Sequence, residues 1–209
     1  MQAVAFSCIF VAKAFSQEPY VSNEHTVSAS FFAGRYNTDG KWGAACSYSL
    51  KGVLQLSYGR SSVLTGEHVD NFQNEYFLRL YAPQKRRFFL SFGAGYLYQE
   101  SRMDLWSNYP LLLVSKGVGF EGGLHLVTED SKSRRVVVSL FYFYFEPETE
   151  LRTPEIREIE RKLARSISAD VAVIYYLGQI GIVIGPRIAL DSDFTNTFLG
   201  LHTSFLLRH

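Results

Sequence analysis

The chain has 209 residues, with 21 Lys+Arg against 20 Asp+Glu, so it carries no global field that would draw in nucleic acid. Aromatic residues make up 15%, Gly numbers 16 and Pro only 6, a mixture that favours many extended strands over helices. Beyond the first residues no stretch approaches the roughly 18 continuous apolar residues of a membrane helix. If the chain crosses a bilayer it must therefore do so as a closed barrel, because an open sheet edge would leave backbone groups unpaired in lipid.

Residues 1–16 read as an export signal: a short apolar run from Ala3 to Ala12, then Ala14-Phe15-Ser16 with small residues where signal peptidase cuts. A polar lead, 17–23, follows. Removal of Cys8 with the signal leaves Cys46 as the single mature cysteine, which excludes an internal disulfide and a cysteine-based zinc site.

From residue 24 to 209 period-two alternation recurs. The first segment sets Val27, Ala29, Phe31 and Ala33 against Ser28, Ser30 and Gly34. After an Asn37–Gly40 turn, Trp42, Ala44, Cys46, Tyr48 and Leu50 oppose Gly43, Ala45, Ser47 and Ser49. Lys51-Gly52 turns into a third segment, Leu54, Leu56 and Tyr58 against Gln55, Ser57 and Gly59. Past a loop from Ser61 to Phe72, the fourth alternates Tyr76, Leu78 and Leu80 with Glu75, Phe77 and Arg79, and Pro83–Arg86 turns the chain. The fifth pairs Phe88, Leu90, Phe92, Ala94, Tyr96 and Tyr98 with Phe89, Ser91, Gly93 and Gly95. Glu100–Pro110 is read as a loop before the sixth, in which Val118, Phe120, Leu124 and Leu126 oppose Gly117, Gly119, Glu121, Gly123 and His125. The seventh, Val136 to Tyr144, is apolar on both faces. In the longest connection, Glu146 to Ser166, Thr153-Pro154 predicts a helix start, with Ile156, Ile159 and Leu163 on one stripe. Three further segments follow around Ala169–Tyr175, Ile180–Ile188 and Leu199–Leu207.

The expected fold is thus all-β: a closed antiparallel up-and-down barrel of about ten strands, eight or twelve being the alternatives. Short turns fall at one end and longer loops at the other, the asymmetry of outer-membrane barrels. One face of nearly every strand is bulky and apolar, and the other is mostly Gly, Ser and Ala. Mid-strand ionisable residues Glu75, Arg79, Glu121, His125, Asp170, Arg187 and His202 all fall on the small face. Since Lys or Arg on a lipid face costs roughly 2–4 kcal/mol at mid-bilayer, lipid is expected outside and a charged lumen inside. Over residues 24–209 the chain resembles the small bacterial outer-membrane barrels of the OmpA/OmpX-like superfamily, and Phe198–Leu207 is similar to the C-terminal signal read by the barrel assembly machinery. The resemblance implies a place in the Gram-negative outer membrane, with contacts to its lipid and lipopolysaccharide. It also implies help from the assembly machinery and leaves room for an envelope protein partner.

The seven lumen charges either satisfy one another in a plugged interior or line a narrow path for protons or small solutes. A second cluster, Glu67, His68, Asp70, Asp191 and Asp193, is expected at the extracellular rim, either as solvated loop residues or as a hydrolase site. No phosphate loop, CxxC or HExxH is present, so neither a metal nor a cofactor is expected. The leading expectation is a non-enzymatic barrel with a structural, adhesion or envelope-assembly role. A narrow, porin-like channel, a rim hydrolase or lipid A-modifying barrel, and a soluble lipocalin-like carrier are the alternatives.

Overall fold

A computed structural model describes residues 25–37, 39–64, 69–82, 87–104, 110–131, 133–153, 157–161, 163–191 and 197–208. The segments expected to be the export signal (1–16) and the lead (17–23) lie outside these residues. Twelve strands are present among them: β1 (Thr26–Tyr36), β2 (Asp39–Leu50), β3 (Leu54–Leu64), β4 (Val69–Tyr81), β5 (Phe88–Asp104), β6 (Pro110–Asp130), β7 (Arg134–Phe145), β8 (Glu148–Arg152), β9 (Arg157–Arg161), β10 (Ala164–Leu177), β11 (Ile180–Asp191) and β12 (Thr197–Arg208).

Ten of them close a wall in the order β1-β2-β3-β4-β5-β6-β7-β10-β11-β12, every pairing antiparallel. Closure is made by β1 on β12, from Thr26↔Arg208 to Tyr36↔Phe198, so the wall has no free edge. Local chemistry fits the turns. Lys51 (φ 49°) and Gly52 (φ 65°) supply two successive left-handed residues, as a tight hairpin turn requires. Asn37 (φ 53°) makes the β1–β2 turn and ties it to β12, its Oδ1 accepting from the Thr197 amide at 2.8 Å.

The remaining two strands are extensions of the wall. β7 and β8 lie along β6 in one continuous register, Phe145↔Gly119 leading to Glu148↔Lys116. Likewise β10 and β9 continue one register against them, Ala164↔Phe145 leading to Arg161↔Glu148. Both strands break at the same height, where Pro147 cannot donate to the ladder. The expected helix in the Glu146–Ser166 connection is therefore replaced by a hairpin. Three apolar residues on a stripe give a helix little to bury, whereas an extended chain keeps its backbone paired by prolonging the barrel ladder. Thr153 is described but not helical, and Pro154 and Ile156 lie outside the described residues.

The same extension shortens the expected loops. β5 runs to Asp104 and β6 begins at Pro110, while β3 reaches Leu64 and β4 starts at Val69. β5 has 17 residues and β6 has 21, where a bilayer needs only about 9–11 per tilted strand. The β5–β6 and β8–β9 hairpins therefore stand beyond the membrane. They rise from the end opposite the tight turns.

Side chains alternate as the wall demands. Val27, Phe31, Leu56, Leu78, Phe92, Phe120, Leu140, Ile184 and Leu201 are all more than 38% exposed on the outside, an unbroken apolar belt. Inside, the small-residue face carries more bulk than its Gly, Ser and Ala implied. An apolar plug fills the tight-turn end, formed by Tyr81, Phe89, Val127, Val137, Ala172, Ile174, Tyr176, Val183 and Leu206. Two further clusters sit higher: Phe77, Leu97, Phe143 and Phe145 against the β4–β7 wall, and Phe32, Tyr36, Ala189 and Phe198 across from them. Glycines make room for these rings. A Cβ at Gly95 would lie 2.3 Å from the Tyr76 carbonyl oxygen and 2.6 Å from the Phe77 ring. Large residues beside small ones are what fill the taper of a narrow barrel.

Candidate functional site

The seven mid-strand ionisable residues named from the sequence all point inward and are buried, none more than 4% exposed. Four of them form two ion pairs. Arg79 on β4 and Glu121 on β6 reach each other across Gly93 of β5, with Nε donating to Oε1 at 2.8 Å. Gly93 is the enabling residue, since a Cβ there would sit 3.0 Å from the Arg79 Cγ. The guanidinium also donates from Nη1 to Ser57 Oγ at 3.1 Å and to Gln55 Oε1 at 3.3 Å, and it lies over the Phe77 ring. Gln55 passes the chain onward: Tyr81 donates to its oxygen at 2.8 Å, and its amide donates to Ser47, which bonds Ser28 at 2.7 Å.

A second pair, Arg187 on β11 and Asp170 on β10, sits in direct register with Nη2 donating to Oδ2 at 2.6 Å. His202 on β12 neighbours it through Gly185. Desolvating these charges is costly, and the direct pairing with further hydrogen bonds is what makes their burial tolerable.

His125 stands apart from the ion pairs. Ser91 Oγ lies 2.8 Å from its Nε2 and Ser139 Oγ 3.0 Å from its Nδ1, while the ring stacks on Phe89 with centroids 4.7 Å apart and meets Phe141 edge-on. A histidine between two serines has the composition of a nucleophilic site, but all three residues are at most 1% exposed within the apolar plug. The two hydroxyls hold the imidazole between them and are closed to solvent.

Among the inward polar residues that escaped the sequence-derived set are Lys41, Gln55, Gln73 and Gln99, all buried. Lys41, Gln73 and Gln99 lie just past the expected strand ends, so their parity was not read. Gln55 was assigned to the small face without a role. In the upper interior Gln73 donates to Glu75, and Lys41 interacts electrostatically with the same carboxylate.

Of the expected rim cluster, Glu67, His68 and Asp193 lie outside the described residues, as does the side chain of Asp70. Asp191 ends β11, half-buried and opposite Ser166.

A charge network covers the outer face of the protruding sheet, and draws on the Arg- and Glu-rich segment after Glu146. Glu150 on β8 receives Arg152 Nη2 at 2.6 Å and also Arg157 of β9, and Lys116 and Arg161 flank Glu148 at 3.9 and 3.3 Å. Hydrogen bonds from Arg152, and then from Arg157, hold the Glu150 carboxyl down at about 2 against the upward pull of its desolvation. The outer strand β9 is exposed at every residue and carries Arg157, Glu158, Glu160 and Arg161, charges that discourage pairing with another strand at a free edge.

Neither a family model nor a curated protein matches the chain. Solved structures do. The translocator domain of autotransporter NalP from Neisseria meningitidis is similar with a TM-score of 0.55 and 9% identity, over 91% of this chain and 90% of that one. The outer-membrane protease OmpT from Escherichia coli gives 0.49 at 10% identity, over 94% and 97% of the two chains. The KdgM porin gives 0.43 at 10%, over 85% and 98%. At these identities the likeness shows the fold alone, and the first of the three carries it. A closed ten-strand wall with an apolar outside is a transmembrane β-barrel. The protein has the fold of a small transmembrane β-barrel, the fold of those outer-membrane proteins.

Proposed function

We propose that the protein is a closed, non-conducting scaffold that holds structured hairpins at the cell surface for adhesion or envelope assembly. One observation carries the reading: two buried ion pairs and a cluster of large apolar side chains project into the bore. The Arg79–Glu121 and Asp170–Arg187 pairs occupy its middle, and the plug around Tyr81, Phe89, Val137 and Ile174 occupies its tight-turn end. About eight strands already give a bore that side chains just fill, and aqueous pores need 16–18. What such a barrel can present is its hairpins, and β5–β6 and β8–β9 extend well beyond the belt. Residues 1–16 as a removed signal, 17–23 as a periplasmic lead and residues from 24 onward as the mature barrel belong to this reading, as do biogenesis through the barrel assembly machinery and an envelope protein partner.

A narrow solute path is the second reading. Its support is a polar seam along β12–β1–β2, where Thr26, Ser30, Ser49 and Ser204 are buried with hydroxyls that have no hydrogen-bond partner among the described residues. Planar-bilayer recording separates the two. The scaffold reading expects no stepwise conductance from purified protein at 1 M KCl. Reproducible steps, abolished when Ser30 and Ser204 are replaced by Val, would establish the path instead.

A further inference from the structure

The two ends of the barrel carry opposite charge. The five connections on the hairpin side, 37–40, 61–72, 100–110, 146–166 and 191–196, hold thirteen acids against six Lys or Arg. The tight-turn segments 51–52, 83–87, 129–135 and 178–179, with Arg208 at the end of β12, hold eight Lys or Arg and two acids, Glu129 and Asp130. Three of these cations take the inward parity of their strands, at the mouth of the bore. Arg87 lies two residues before the buried Phe89, and its carbonyl accepts from the amide of the buried Val127 at 2.7 Å. Arg135 lies two before the buried Val137 and opposite the buried Ile174, with Asp130 on its other side. Arg208 follows the buried Leu206 by two, lies 4.1 Å over the Tyr176 ring and donates to the Gly178 carbonyl at 2.5 Å. The three come from the start of β5, from β7 and from β12, the arc of wall that supplies most of the apolar plug. Arg134, by contrast, takes the outward parity beside the exposed Tyr175 and is held by Glu129 at 2.7 Å.

We infer that this arginine arc is a docking surface for an acidic segment of a periplasmic protein, laid across the tight-turn mouth. The inference rests on the envelope-assembly reading, in which the tight turns face the periplasm. A surplus of positive charge at one mouth attracts an anionic segment and repels a cationic one over a Debye length, ~8 Å at physiological salt. Guanidinium groups hold carboxylates with two parallel N–H donors, which favours Asp and Glu side chains as the partner groups. Anionic lipid headgroups share the charge but lie outside the wall, whereas Arg87, Arg135 and Arg208 all take the inward parity. The acid-rich hairpin end offers such a segment no comparable surface.

Full-length protein in nonionic detergent is titrated against a fluorescein-labelled (Glu-Ser)6 peptide, with (Lys-Ser)6 as the control, and binding is read by fluorescence anisotropy. The acidic peptide should bind at about 50 mM NaCl and lose about tenfold in affinity at about 300 mM, and the basic peptide should not bind. The Arg87→Gln, Arg135→Gln, Arg208→Gln variant should lose at least about tenfold at low salt, while Arg165→Gln at the other end leaves the affinity unchanged. If the triple variant lacks the fast-migrating unboiled band of a folded barrel on SDS gels, Arg87→Gln alone, at an exposed side chain, should still lose about threefold. Equal affinity in parent and variants, or equal binding of the two peptides, would overturn the proposal. So would phosphatidylglycerol binding that depends on the three arginines in a parent that ignores the peptide, because the arc would then serve lipid. Absence of the fast band in the parent would instead count against the barrel itself. Labelling of Lys51→Cys, in a Cys46→Ser chain, by an impermeant maleimide on intact cells would refute the periplasmic orientation.

Discussion

Replacing Arg79 by Met keeps most of the side-chain volume but removes the guanidinium from a site that is 0% exposed. Three bonds disappear: the 2.8 Å contact to Glu121, and those to Ser57 and Gln55. Gln55 retains Tyr81 as a donor and Ser47 as an acceptor, so its loss is small. Glu121 is the expensive consequence, because its carboxylate is left buried without its cation. Breaking one partner of a buried pair costs about 3–5 kcal/mol, and that range is expected here. Replacing both partners, Arg79→Met with Glu121→Leu, removes the desolvation penalty along with the attraction, and should bring the barrel back to within about 1–2 kcal/mol of the parent. Urea unfolding of the barrel in lipid vesicles, followed by tryptophan fluorescence and by the gel-mobility shift, measures all three proteins. A single variant costing under 1 kcal/mol, or a double variant as damaged as the sum of the singles, would refute the assignment of these residues to one buried pair.

Three further outcomes follow from the same wall. Leu78→Arg, at the middle of the outward belt, should cost about 2–4 kcal/mol in the vesicle assay, whereas Leu80→Arg near its lower border should cost about 0–1 kcal/mol. Gly95→Ala should destabilise by about 1–3 kcal/mol because its methyl meets the Tyr76 carbonyl, while Gly122→Ala, with nothing within 4 Å, should be neutral within about 0.5 kcal/mol. The Glu150 carboxyl is held at about 2, below its usual 4.5, so the support it gives the β8–β9 hairpin is complete above pH 4.5 and is lost as pH falls towards 2. Amide exchange of residues 148–152 and 157–161 should therefore stay slow at pH 4, and Glu150→Gln should remove that protection at pH 7; equal exchange in the two proteins at pH 7 would count against the network.

The barrel was legible because a membrane wall imposes a strict two-residue period, and a slip of one residue would turn Glu75 or Arg79 into lipid. Every described strand of the wall shows the parity its alternation implied, and the seven inward charges could be named from that parity alone. What could not be read were the strand ends. Above the membrane both faces meet water, so the pattern in Glu100–Pro110 and Glu146–Ser166 fades although the backbone ladder continues. That hid the β8–β9 hairpin and with it the partners of Glu150. Lys41 and Gln99 were missed because they sit one residue beyond the expected segment ends. Nor does parity say who touches whom: that Arg79 reaches Glu121, two strands away, depends on Gly93 leaving the intervening strand bare.

The central claim, a closed apolar-sided barrel in the outer membrane, is tested most directly by SDS electrophoresis of the membrane-fraction protein with and without boiling. A compact, detergent-resistant wall predicts that the unboiled protein migrates faster than the boiled one. Identical mobility, together with recovery of the protein from periplasmic extract without detergent, would contradict it.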